Sequence, residues 1–300
     1  MPVRQLIGAT RTTHPEMSST LPELLQERVV RKGRRLLKYV LRWRLSKAGQ
    51  CRSTLPVFIM GAQRSGTRVP LLALESSPDI LTFREGARRF FNGGRLRPDH
   101  VLQRLFDRCA FPVLVIKPLC ESHRALDLLA RFPTSRVVWI YRRPEDTVRS
   151  ASIKWQSGAE AVTRLVEGRL AADDWRRGGL TEEALATARR LYVPGLSLHH
   201  GNAIMWYLRN RLVLDLDLFS HPRVLVVKYE DLSRAPAAHF PRLFSFVGTP
   251  LSPSYLTGIH DRSVRRQALD GVPGDVLDAC EQLYVEIDRR YEASRLASHP

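Results

Sequence analysis

Residues 57–72 read VFIMGAQRSGTRVPLL, and the fold follows from how this stretch divides. Four consecutive apolar residues, Val57 to Met60, suit a strand buried on both faces, because side chains alternate between the faces and here neither set is polar. Gly61 and Gly66 bracket a turn whose backbone is free to bend close to a ligand. Thr67 is expected to cap the helix that follows, and Pro70 is tolerable only in that helix's first turn. The amides of Ser65, Gly66 and Thr67 then lie at a helix N-terminus, where unpaired N–H groups and the helix dipole favour an anion. The stretch reads as a phosphate cradle. It departs from the nucleotide-triphosphatase pattern G-x-x-x-x-G-K-[ST], which needs Lys at 67 and a magnesium-binding hydroxyl at 68. Thr67 and Arg68 stand there instead, and the loop's cation is Arg64.

Outward from this stretch, composition sets limits. Three hundred residues with 44% hydrophobic content suit one large α/β domain with a substantial core. A net charge of +17 predicts anionic partners: a phosphorylated ligand, an acidic glycan, an anionic membrane surface or nucleic acid. Cys51, Cys109, Cys120 and Cys280 form no C-x-x-C pair, so neither a zinc site nor a disulfide scaffold is signalled, and a reduced, cytoplasmic setting is expected. No apolar run is long enough to span a bilayer.

Residues 1–52 are expected to be a basic tail and an amphipathic helix, and residues 53–300 the main domain. The first part carries twelve Lys and Arg against three Glu, a net +9. Leu and Val recur at three- and four-residue steps from 21 to 47, with a break expected near Gly33. Two readings are open for this helix: peripheral contact with an anionic membrane, or docking of its apolar stripe on the main domain.

In the main domain, strands are predicted at 57–60, 80–83, 113–117, 136–141 and 223–229. Helices are predicted to about 76 and over 122–131, 144–155, 202–216, 236–247 and from about 275 to 291. Strands alternating with helices imply crossovers and a central parallel sheet flanked by helices. Residues 156–201, with their scattered glycines, read as a helical insertion. Its arginines, Arg164, Arg169, Arg176, Arg177, Arg189 and Arg190, suit either an acceptor cleft or solvated helix faces.

Ligands of open parallel sheets bind beyond the carboxyl ends of the strands. The residues there are Gln63 to Thr67, Arg84 with Glu85, Lys117, Arg142 with Arg143, and Lys228 to Asp231. A kinase would place an Asp at a strand end to hold Mg²⁺, whereas the strand 137–141 runs into two arginines, which disfavours metal-dependent phosphoryl transfer.

Three segments together resemble the sulfotransferases that use 3′-phosphoadenosine 5′-phosphosulfate. GAQRSGT at 61–67 is similar to that family's 5′-phosphosulfate loop, with Arg64 before Ser-Gly-Thr. RVVWIYRRPEDTVRS at 136–150 resembles its 3′-phosphate-binding strand and helix, with Arg142 followed eight residues later by Ser150. VLVVKYEDL at 224–232 resembles its late strand and acidic turn. The resemblance implies a P-loop nucleotide-kinase-like sulfotransferase fold, a metal-free sulfuryl transfer, and donor contacts from Gln63, Arg64, Ser65, Gly66, Thr67, Arg68, Arg142 and Ser150. Ser263, Arg265 and Arg266, in SVRRQALDG, stand where many members carry an Arg-Lys-Gly loop that this chain lacks.

Glu85, in LTFREGARRFF, is similar to the base that glycan sulfotransferases carry shortly before a Phe pair, here Phe90 and Phe91; its alternative is an ion pair with Arg84, Arg88 or Arg89. Lys117 resembles a Lys-x-Pro or Lys-Pro element facing the acceptor or the sulfuryl group. His100, His123, His199 and His200 are held in reserve as bases. The acceptor is a hydroxyl or amine of a carbohydrate, lipid or small molecule, and nucleic acid is not expected. The alternatives are a P-loop kinase using Mg-ATP, and a non-enzymatic basic module binding polyanions.

Overall fold

A computed structural model describes residues 53–261, 263–264 and 269–296, together with 33, 38 and 40. The chain divides into two units, Met1–Gln50 and Cys51–Pro300. In the first, Gly33, Lys38 and Val40 are helical; whether the helix breaks near Gly33 lies outside the described residues. The rest of the reading for 21–47 lies outside the described residues.

In the second unit, β1 (Leu55–Gly61) leads through the glycine loop into α1 (Arg68–Ser76) and β2 (Ile80–Arg84). A hairpin of β3 (Phe91–Asn92) and β4 (Arg95–Leu96) and a helix, α2 (Asp99–Asp107), come next. The sequence reading did not include them; α2 forms because Leu102 and Phe106, four residues apart, bury one stripe. After β5 (Val113–Lys117), the expected helix at 122–131 splits into a 3₁₀ turn at Leu119–Arg124 and α3 (Ala125–Arg131). The cause is Ser122, whose hydroxyl accepts from the Gly61 amide at 3.2 Å and lies 3.1 Å from the Gly61 carbonyl, drawing the chain onto the end of β1.

β6 (Arg136–Tyr141) runs into α4 (Pro144–Lys154), opened by Pro144 in its first turn. Residues 156–201 contain α5 (Gly158–Val166) and α6 (Glu182–Leu191), with no strand among them. Ser197 accepts from the His200 amide at 3.2 Å and starts α7 (Leu198–Asp215) four residues before the expected Asn202. β7 (Val224–Lys228), α8 (Tyr229–Arg234), α9 (Pro236–Val247) and α10 (Gly274–Leu296) complete the fold.

The five long strands form one parallel sheet in the order β2-β5-β1-β6-β7, flanked by helices. Val57 and Ile59 point into a cluster with Leu71, Leu74, Val138, Ile140, Phe240 and Phe244. Phe58 points the other way, its ring 6.4 Å from Phe106 and 6.2 Å from Phe132. Both faces of β1 are covered, as its uninterrupted apolar run requires. The chain order reverses at β1, with β5 on one side and β6 on the other, so the crevice of this sheet opens beyond Gly61.

Candidate active site

The glycine loop is shaped by contacts that exclude side chains. Gly61 has φ 130°, and a β-carbon there would stand 2.2 Å from the Ile140 carbonyl oxygen. Gly66 has φ 79°, and a β-carbon there would stand 2.0 Å from the Tyr229 ring. Between them Arg64 adopts φ 69°, a left-handed conformation uncommon outside glycine. The Ser65 amide donates to the Ala62 carbonyl at 3.3 Å and Val69 to Gly66 at 3.0 Å, leaving the amides of Gly66 and Thr67 with no backbone acceptor among the described residues. The Ser65 hydroxyl is fully buried and also lacks a partner. Thr67 holds the N-cap position, but its side chain makes no capping bond, contrary to expectation, because its backbone is already helical at φ −54°, ψ −12°. Open donors at the start of α1 suit an oxyanion.

Arg142 and Arg64 close this cradle on the side of β6. The buried Arg142 guanidinium lies 4.4 Å from the centre of the Tyr229 ring and 3.7 Å from the Asp146 carboxylate, and donates to the Ser263 carbonyl. Its Nε is buried without a partner. Tyr229 in turn shares a hydrogen bond with the Ser263 hydroxyl. Arg64 donates to the Ser150 hydroxyl at 3.0 Å from Nε and 2.8 Å from Nη2, and lies 5.9 Å over the Trp155 ring. Burial and the neighbouring Arg142 charge lower the pKa of its guanidinium. Ser150, which the resemblance paired with Arg142, is thus held by Arg64. The left-handed turn at 64 sends that side chain toward α4.

The other wall carries a carboxylate. Lys117, at the end of β5, donates to Glu85 at 2.8 Å, just past its register partner Arg84 on β2. This is not the ion pair with Arg84, Arg88 or Arg89 weighed from the sequence; Arg84 faces Glu75 at 3.6 Å. Glu85 and Gln63 border a cavity of about 380 Å³ that α4, α5 and α7 enclose, with Val148, Trp155, Trp175, Met205, Trp206 and Arg209 in its wall. Trp206 is buried and donates to the Arg142 carbonyl at 3.1 Å, so it both lines the cavity and braces the cradle. Of the six insertion arginines, Arg176 alone stands among the lining residues; Arg169 pairs with Glu167 and Arg189 with Glu182.

The structure therefore brings Gln63, Arg64, Ser65, Gly66, Thr67, Arg142, Ser150 and Ser263 into one cluster beside Glu85 and Lys117. Arg68 is exposed at the first position of α1, and Arg265 and Arg266 lie outside the described residues. The reserve histidines are not in the cavity wall. His200 is buried 2.8 Å from the Leu191 carbonyl, His199 contacts the Asp270 carbonyl, and His100 is exposed. Burial, then the charge of Arg209, lowers the pKa of His123 to about 4. Glu230 is buried and accepts from the Arg143 amide at 3.0 Å, at the start of α4. Tyr229 was missed as a site residue. Its signal was an aromatic at a strand-to-helix junction in a row of strand ends that are otherwise charged.

A parallel sheet with a glycine loop at its switch point, a buried arginine beside that loop, and Arg68 rather than a hydroxyl at the magnesium position defines a P-loop domain built for anionic ligands. The family model described as a sulfotransferase domain matches residues 55–267. The chain belongs to the sulfotransferase family and is a sulfotransferase. Similar solved structures include the sulfotransferase from Alicyclobacillus acidocaldarius, at 19% identity over 81% of this chain and 96% of that one, TM-score 0.47. Mouse sulfotransferase SULT7A1 complexed with PAP matches at 15% identity over 83% of this chain and 90% of that one, TM-score 0.41. The sulfotransferase domain from the curacin biosynthetic pathway matches at 14% over 77% and 99%, TM-score 0.47. A search of curated proteins found no match. No helix among the described residues is long and apolar enough to cross a membrane.

Proposed function

We propose that the chain moves a sulfuryl group from 3′-phosphoadenosine 5′-phosphosulfate to a hydroxyl or amine of an acceptor in the cytoplasm. The observation that carries this reading is the buried, unpartnered Ser65 hydroxyl beside the open amides of Gly66 and Thr67, a donor set that fits the 5′-phosphosulfate end of such a nucleotide. A nucleotide with phosphates on two positions needs a second cation, and Arg142, fixed by Tyr229 and Ser263 with its Nε unpartnered, supplies one beside the loop, its Nη1 3.5 Å from the Arg64 carbonyl. When bound, the donor supplies a sulfuryl group activated by its phosphate leaving group. Arg64 neutralises charge on the departing phosphate, and Ser150, which accepts from its Nε and Nη2, holds it. Glu85 takes the acceptor proton, and Lys117 orients the Glu85 carboxylate.

The test is thermal stabilisation by 3′,5′-adenosine bisphosphate in the presence of EDTA. A rise in melting temperature that disappears in Arg142→Ala supports the donor assignment. Stabilisation by Mg-ATP alone sinks it.

A further inference from the structure

The cavity beside Glu85 has a charge that its wall does not balance. Arg209, on α7, is 2% exposed. Its Nη1 donates to the Trp175 carbonyl at 3.1 Å and the Gly178 carbonyl at 3.4 Å, while Nε and Nη2 are buried without partners. The guanidinium also lies 5.3 Å from the Trp175 ring. The other charges of the wall are matched: Glu85 by Lys117 at 2.8 Å, and Arg176 by Asp174 at 2.9 Å. No carboxylate pairs with Arg209 among the described residues. Cys120 and Glu121 are near, but burial raises the pKa of the Cys120 thiol, which keeps it neutral, and Glu121 already binds Arg95 and Arg124. Burial lowers the pKa of Arg209 to about 10, so it remains charged at neutral pH.

A guanidinium that served only to brace residues 175–178 would need one nitrogen, and burying the remainder unpaired is costly. The rest of the wall is mainly apolar, with Val148, Ala151, Ala161, Met205 and two more tryptophans, Trp155 and Trp206; Thr147, Ser157 and Asn202 are its uncharged polar members. The volume, about 380 Å³, lies in the range of small-molecule sites. We propose that the acceptor is a compact apolar molecule bearing both a hydroxyl and a carboxylate, with Arg209 taking the carboxylate and Glu85 with Gln63 meeting the hydroxyl. This rests on the sulfuryl-transfer reading. It narrows the acceptor from carbohydrate, lipid or small molecule to hydroxy acids with an apolar body, such as hydroxyaryl carboxylates.

The experiment uses the full chain and paired probes: 6-hydroxy-2-naphthoic acid and 8-hydroxyoctanoic acid, each against its methyl ester. Binding is measured by calorimetry with and without 3′,5′-adenosine bisphosphate, and turnover with the phosphosulfate donor. At least one acid is expected to bind tenfold or more tightly than its ester, and to be the better substrate by kcat/KM. Arg209→Gln should erase that preference by weakening the acid far more than the ester, and Arg209→Lys should retain part of it. Equal binding of acid and ester to the unaltered chain, tighter binding of the esters, or no binding of any probe overturns the proposal, whatever the variants do. The nucleotide titration separates the two readings: nucleotide binding without an acid preference refutes only the acceptor class, whereas absence of nucleotide binding refutes the donor assignment itself.

Discussion

The Arg142 guanidinium stands 4.4 Å from the centre of the Tyr229 ring, and the same ring occupies the space that a β-carbon on Gly66 would take. One aromatic side chain thus sets both the cation of one anion position and the backbone of the other. A partly desolvated cation–π contact is worth about 1–2 kcal/mol. Tyr229→Ala is therefore expected to weaken 3′,5′-adenosine bisphosphate binding roughly five- to thirtyfold by calorimetry. Tyr229→Phe, which loses only the bond to Ser263, should fall closer to the unaltered chain.

Gly66→Ala tests the same contact from the other side. An alanine held at φ 79° costs roughly 1–2 kcal/mol, and its methyl group must displace the Tyr229 ring as well. A lower melting temperature and loss of nucleotide binding are expected. In the Tyr229→Ala background the added damage should be smaller, and strict additivity of the two changes would refute the contact.

Glu85→Gln keeps the size of the side chain but removes its basicity. Nucleotide affinity should be unchanged while turnover falls by roughly 10²–10⁴-fold, the usual worth of a positioned general base. Unaltered turnover would remove Glu85 from the mechanism.

His123 gives the chain an acid sensitivity. Half-buried near Arg209, with Nδ1 buried and unpartnered, it has its pKa lowered to about 4, against 6.5 for an ordinary histidine. Between these values the unfolded chain binds the proton that the folded chain refuses, so stability rises with pH across that window and is lost as pH falls from 6.5 toward 4. Denaturant titrations at several pH values should show this slope, and His123→Asn should flatten it. A slope that is the same in both proteins would contradict the assignment.

The architecture was legible because β1, β5, β6 and β7 are short apolar runs, the first ended by glycine and the others by charge, and a strand covered on both faces needs such a run. The cradle was legible for a local reason: two glycines and a helix start within a few residues. What escaped was whatever depends on distant segments meeting. Tyr229 reaches Gly66 only because β7 lies beside β6, and the Lys117 contact with Glu85 requires the β2–β5 register. Ser150 meets Arg64 only because residue 64 turns left-handed, which no spacing reveals. The cavity wall combines Trp175 from a loop with Arg209 from a helix, 34 residues apart.

The fit of Tyr229 against Gly66 also limits how this sequence can drift. A side chain at position 66 becomes tolerable only after the ring at 229 is gone, yet losing that ring first slackens Arg142. Any neutral route away from glycine must pass through a form with a poorer grip on its nucleotide. The two positions are accordingly expected to change together, a descendant that alters one having altered the other or abandoned the reaction.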